Sequence, residues 1–411
     1  LDTDGDMDVL SASSGDDKIA WYENTTSTAF DPEFTDHTIT TSAGSPVEVY
    51  AVDVDGDGDV DVLSASSGNS SAPGVYTNQN LSWYENDGSE NFTVHIIMED
   101  VPYNYVYAID VDGDGDMDVV SSTNSSSSFI SKIAWHENDG SENFTSHIIS
   151  YNIAGPAYAI DIDGDGDIDI LSPDGEWIGL AWHENDGSEN FTKHTIDEYS
   201  NYGTRSIYAI DVDGDNDIDI VSSTEVGQGL VWYENDGAES FTIHSISGGV
   251  VSVYAEDVDN DGDIDFVSAN CNADAIVWHE NDGSENFTSH TITTSADCAT
   301  NVYAVDIDGD GDIDVVSVSQ YDNMVAWYEN DGSESFTTNI ITTSVDVPYS
   351  VYAADIDGDG DMDVLSASTN DDKIAWYENY TPGPTDVSGV ISSNTTWGLL
   401  SSPYIVTGSI I

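Results

Sequence analysis

The chain has 411 residues, with 80 Asp plus Glu against 5 Lys plus Arg and a formal net charge of −75, which excludes nucleic acid as a partner on electrostatic grounds. With 38% hydrophobic residues, 22 Tyr and 10 Trp, it is too apolar to remain an unfolded polyanion, so the acidity must be localised. No apolar run approaches the roughly 18 residues that a membrane-spanning helix needs, and no signal peptide is evident.

The chain opens inside an acidic loop, with Asp2, Asp4, Asp6 and Asp8 on alternate residues, and reads as a fragment or processed form of something longer. The loop is complete at Asp53-Val-Asp55-Gly-Asp57-Gly-Asp59-Val-Asp61. Two carboxylates about 4 Å apart repel by roughly 4 kcal/mol at an effective dielectric of 20, so five in one turn need a hard cation. Calcium takes six to eight oxygens, and its best-known loop places ligands at positions 1, 3, 5, 7 (the backbone carbonyl) and 9, with glycine at 6 for the sharp turn. Those positions are Asp53, Asp55, Asp57, Asp59 and Asp61, with Gly58 at position 6.

The loop recurs as Asp110, Asp112, Asp114, Asp116 and Asp118; as Asp161, Asp163, Asp165, Asp167 and Asp169; and as Asp211, Asp213, Asp215, Asp217 and Asp219. It returns as Asp257, Asp259, Asp261, Asp263 and Asp265; as Asp306, Asp308, Asp310, Asp312 and Asp314; and as Asp355, Asp357, Asp359, Asp361 and Asp363. About half the acids of the chain therefore belong to candidate metal loops. Starts are 46 to 57 residues apart, the range of propeller blades. An EF-hand would need a bidentate Glu at position 12 and flanking helices, whereas position 12 after Asp53 is Ser64.

Each period carries four strand-like segments. Between residues 92 and 138, Phe92 to Ile97 alternates like a half-buried strand, and Tyr105 to Ile109 runs into the loop. Asp118 to Ser122 follows, then Lys132 to Glu137, and Asn138-Asp-Gly-Ser-Glu-Asn143 turns the chain into the next unit. No segment has a useful helical period. The pattern predicts an all-β propeller of four-stranded antiparallel blades, seven or eight in number, over residues 1–379. A β-solenoid, the competing fold, has shorter rungs. The first unit lacks its inner strand and the last its outer one, so upstream residues complete the ring or the two ends share a closure strand. From Tyr380 the sequence reads as a linker, and 387–411 as the start of another β module or as the missing strand.

The strand, Asp-x-Asp-Gly-Asp-Gly-Asp-x-Asp loop and following apolar strand, as in Asp306-Ile-Asp-Gly-Asp-Gly-Asp-Ile-Asp-Val-Val, resemble the FG-GAP and VCBS repeat families and, through them, the propeller of integrin α subunits. The resemblance covers roughly residues 1–379. It implies one calcium ion per blade, about eight loops less the truncated first, and an extracellular role in recognition or adhesion. Asn216 stands where the fifth loop should have its position 6 glycine, and Asn260 replaces the position 4 glycine of the sixth; Asn tolerates the left-handed backbone such a turn requires.

Trp-Tyr-Glu-Asn or Trp-His-Glu-Asn recurs at Trp21, Trp83, Trp135, Trp182, Trp232, Trp278, Trp327 and Trp376, one aromatic per unit, as inter-blade packing requires. His136, His183 and His279 exchange with Tyr in that motif. His37, His95, His147, His194, His244 and His290 exchange with Asn339, which points to a hydrogen bond rather than to metal or catalysis. Asn91, Asn143, Asn190 and Asn286 open Asn-Phe-Thr glycosylation sequons that also suit a turn. Cys271 and Cys298 fall in connections on one face, a blade step apart. A disulfide is expected there, implying an oxidising exterior, with two free buried thiols as the alternative.

The acidic loops and Asn-Asp-Gly turns fall on one face and hardly vary. The opposite face carries what differs between units: the insertion 68–80, 124–129, Glu176-Trp177, Tyr321, and the connections at Tyr151, Tyr199 and Tyr202. Function resides in variable loops on a rigid scaffold, so that face is expected to bind a protein or glycan ligand. No catalytic constellation breaks the repeat, and the expected role is binding, adhesion or surface assembly rather than catalysis. A polysaccharide lyase-like propeller and a structural repeat of a surface filament or longer multidomain chain are the alternatives.

Overall fold

The computed structural model describes residues 9–13, 18–22, 33–72, 75–99, 101–123, 131–153, 155–174, 179–198, 204–224, 229–333, 335–380, 385–387 and 404–406. The chain forms two units, Phe34–Asn379 and, by itself, Leu1–Glu33 with Tyr380–Ile411.

The larger unit is a seven-bladed propeller. Its second blade runs from an inner strand, Tyr103–Ile109, through Asp118–Thr123 and Lys132–Asn138 to an outer strand, Phe144–Tyr151, each antiparallel to the next. Five more blades repeat this order. Burial explains the sequence pattern of each strand. The second strand, clamped between neighbouring blades, is buried on both faces and reads as Asp-Val-Val-Ser-Ser-Thr rather than alternating. The outer strand is partly solvated and alternates.

The core is divided among the blade interfaces. Seven apolar clusters each combine two successive blades, as where Val316, Val318 and Trp327 meet Val351, Val364 and Ala375. Burying one such Val or Leu contributes about 1.5–3 kcal/mol, so the interfaces hold the ring together.

The last blade settles the count. Its strands Pro348–Ala354, Asp363–Ser368 and Lys373–Tyr380 are completed by Glu33–Thr40 from the other end of the chain. The ends therefore share a closure strand, and the ring has seven blades rather than eight. Lys373 Nζ binds the Asp36 carboxylate at 3.0 Å, His37 stacks on Trp376 at 4.5 Å, and Phe34 packs into the adjoining interface. In the smaller unit Val9–Ser13 and Lys18–Tyr22 form one two-stranded sheet, and Thr385–Val387 pairs in parallel with Tyr404–Val406. Most of segment 387–411 lies outside the described residues. Among the described residues no helix is long and apolar enough to cross a membrane.

Candidate functional site

Each acidic loop joins an inner strand to the second strand and folds by capping its own backbone. Asp53 accepts the N–H of Gly56 at 2.7 Å and that of Gly58 at 3.0 Å. Asp55 and Asp57 accept from the residues two further on. Asp61 accepts from Val54 at 3.0 Å and, with its other oxygen, from Asn86 on the third strand at 2.8 Å. Carboxylate oxygens of Asp53, Asp55 and Asp57 lie within 4.8 Å of one another, as do those of Asp110, Asp112 and Asp118, and of the corresponding residues in the next three loops. The position 7 carboxylates face elsewhere. A Cβ on Gly88 would lie 2.4 Å from Asp59 Oδ2 and Gly88 has φ +69°, so the turn needs glycine on both counts. That leaves the backbone carbonyl as the inward donor at position 7.

The donor set fits a hard cation. Position 9 is fully buried, and burial pushes its carboxyl up, to about 7 in Asp61 and about 8 in Asp363. No Lys or Arg occurs in any loop to compensate. A divalent ion held by positions 1, 3, 5 and 9 and the position 7 carbonyl would restore the charged form. The loop Asp2 to Asp8 lies outside the described residues. Asn216 adopts φ 75° and donates its N–H to Asp211 like the glycine it replaces, and the Asn260 amide donates to the Gly311 carbonyl of the next loop.

The Trp-x-Glu-Asn motif supports these loops. Trp83, Trp135, Trp182, Trp232, Trp278, Trp327 and Trp376 are buried, and all but Trp327 stack on the outer-strand histidine of their own blade, Trp83 on His95 at 4.5 Å. His95 Nε2 is 2.7 Å from Glu85, and Asn339 donates to Glu329 in the blade that lacks the histidine. The motif's Asn was not singled out in the sequence, yet Asn86, Asn138, Asn330 and Asn379 each donate to a carbonyl in the preceding blade's acidic loop, Asn379 to Ile307 at 2.8 Å. His136, His183 and His279 are buried, with pKa lowered to about 3, 4 and 4 mainly by burial. Each contacts a second-strand serine that Tyr328 and Tyr377 contact in their own blades.

Sequon residues Asn91, Asn143, Asn190 and Asn286 are exposed, and their amides close turns by donating to Asp87, Asp139, Asp186 and Asp282. Cys271 and Cys298 are disulfide-bonded between blades five and six. Residues 124–129, Glu176, Trp177, Tyr199 and Tyr202 lie outside the described residues; Tyr321 and Tyr151 are 73% and 59% exposed.

At the axis the structure shows what the sequence reading missed. Tyr50, Tyr107, Tyr158, Tyr208, Tyr254, Tyr303 and Tyr352, one per inner strand, form a closed ring with neighbouring centroids 4.5–5.4 Å apart. Burial raises most of their hydroxyl pKa values, as in Tyr50 and Tyr254. The ring floors a funnel of about 920 Å³ opening on the face of the variable connections. Glu48, Tyr105, Pro156, Ser206, Ser252 and Asn301, two residues ahead of their ring tyrosines, line it. Tyr105 Oη reaches the Arg205 carbonyl two blades away at 3.1 Å, and burial pushes the Glu48 carboxyl up to about 8.

A family model described as an FG-GAP-like repeat matches residues 1–64, 110–172, 161–222, 211–268, 257–317 and 306–366, most of the chain. The chain belongs to the FG-GAP-like repeat family. No curated protein matches it in sequence. Among solved structures this FG-GAP-like propeller is similar in fold to a crystal structure of BBS1N in complex with ARL6DN, soaked with lead. That match has a TM-score of 0.54 and 10% identity over 84% of this chain and 97% of that one. A mercury-soaked crystal of the same complex gives a TM-score of 0.56 and 9% identity, over 85% and 97%.

Proposed function

We propose that this FG-GAP-like propeller is an extracellular, calcium-stabilised binding module without catalytic activity, whose variable face engages a protein or glycan. The observation that carries this reading is the division of the molecule into two faces. The acidic loops and Asn-Asp-Gly turns repeat almost unchanged, whereas a funnel of about 920 Å³ and exposed aromatics such as Tyr321 lie where the repeats differ. Rigid blades presenting variable connections are the usual arrangement of a recognition surface. The similar BBS1N propeller is itself found in complex with ARL6DN, which accords with a protein partner. The extracellular setting is supported by the Cys271–Cys298 disulfide, a bond that persists in oxidising surroundings.

The test compares the faces. Protein and glycan arrays probed with the full chain in millimolar calcium should give ligands whose binding is lost in Tyr321→Ala or Tyr151→Ala and kept in Ser89→Ala and Ser141→Ala. Binding that follows the serine variants would overturn the assignment of the face, and unsaturated ends appearing on an acidic polysaccharide would reveal a lyase.

A further inference from the structure

The funnel differs in chemistry from the rest of the surface. The chain carries 80 acids, yet among the described residues no aspartate lines the funnel, and its charged side chains are Glu48 and Arg205. The walls are tyrosine rings and neutral donors and acceptors, including Asn104, Ser252, Thr300 and Gln320.

Its mouth is built by a repeated device. Five inner strands carry a β-bulge at their first turn of ladder, and the extra residues are Val47, Asn104, Arg205, Thr300 and Tyr349. All five line the funnel. A bulge re-aims a side chain out of the ladder, so one backbone device delivers five different side chains to the same opening. Below them Glu48 receives no hydrogen bond from any described residue, although a half-buried carboxyl ordinarily has a partner.

These features select among ligands. A polyanion is repelled by a net charge of −75. A cation would find far denser carboxylates in the acidic loops than in the funnel. A neutral polyol offers C–H faces to tyrosine rings and hydroxyls to amide, hydroxyl and carboxyl groups, and the volume lies within the range of about 300–1,000 Å³ that encloses a small ligand.

We propose that the axial funnel is a saccharide site that takes a neutral portion of a glycan, with Tyr349 and Tyr105 as ring platforms and Glu48 and Asn104 as hydrogen-bond partners. The proposal rests on the binding-module reading above. The test is calorimetric titration of the full chain, in millimolar calcium, with neutral oligosaccharides, their sialylated and sulfated counterparts and a lysine-rich peptide. At least one neutral oligosaccharide should bind saturably and be weakened about tenfold or more by Tyr349→Ala or Glu48→Gln. Both variants should retain the parent melting temperature, since Tyr349 is 39% exposed and Glu48 supports no neighbour by a hydrogen bond. Preference for the charged glycans or the peptide would overturn the proposal, as would neutral-glycan binding indifferent to both variants. Binding lost only in Tyr151→Ala, which lies outside the funnel, would sink the funnel and leave the module reading intact; no binding by either face would sink both.

Discussion

His279 shows how one side chain can be required as a ring and be a liability as a base. It is buried between Ser268 Oγ at 2.9 Å and Ser289 Oγ at 2.9 Å, and burial lowers its pKa to about 4. A histidine held neutral in the fold is protonated first in the unfolded chain. Its contribution is therefore intact above pH 6.5 and is lost as the pH falls from there towards 4. Between pH 7.5 and pH 5 this costs about 2 kcal/mol at most. His279→Tyr, the residue at this place in Tyr328 and Tyr377, should remove that part of the pH dependence while keeping the serine contact. Urea melts of parent and variant at the two pH values, in saturating calcium, check it; parallel losses would show that His279 does not titrate in this way. The exchange of His with Tyr along the chain made the requirement for a ring legible. The buried serine that explains it was not legible, because it lies on the neighbouring strand and only the register brings it opposite.

Each acidic loop has all its donors within nine residues, which is why a local pattern sufficed to find it. The tyrosine ring was just as periodic, each tyrosine standing three residues ahead of a position 1 aspartate. Strand alternation, however, tells that such a residue is on one face and not that this face meets the axis. The Asn86 and Asn379 bonds to adjoining blades were hidden for the same reason: they depend on closure, a property of the assembled ring. The loops carry the expected dependence on metal. Among the described loops a fully buried carboxyl such as Asp118 already accepts the N–H groups of Val111 and Asn138, so a cation bound there would hold both strands' ends against repulsion and its removal would release them. A site saturated a hundredfold above its Kd stabilises by about 2.7 kcal/mol, and several such sites act on one cooperative unit. Chelator should lower the melting temperature by well over about ten degrees, and calcium should restore it with half-saturation near 0.1–1 mM. A melting curve indifferent to chelator would remove calcium from the account of the fold.

For the whole molecule, stability depends on the ring being closed. In an open array each repeat supports only its neighbours, whereas in a closed ring every interface also resists the separation of the ends. Closure here rests on Glu33–Thr40, which completes the last blade and brings Asp36 to Lys373, His37 to Glu378 and Trp376, and Ile39 into the interface between the last and first blades. Removing residues 1–41 would leave Lys373–Tyr380 as a bare edge, and an unpaired edge is both frayed and adhesive. Hydrogen exchange in the truncated chain should speed up first in Asp363–Ser368 and Lys373–Tyr380, and only at higher temperature in Asp219–Thr224, three blades away. A peptide of residues 33–42 added in trans should pair with the exposed edge and slow exchange there again. Unchanged exchange after truncation would mean that the remaining strands hold the ring without it. Rescue by the peptide would show that the seventh blade is one sheet made from both ends of the chain.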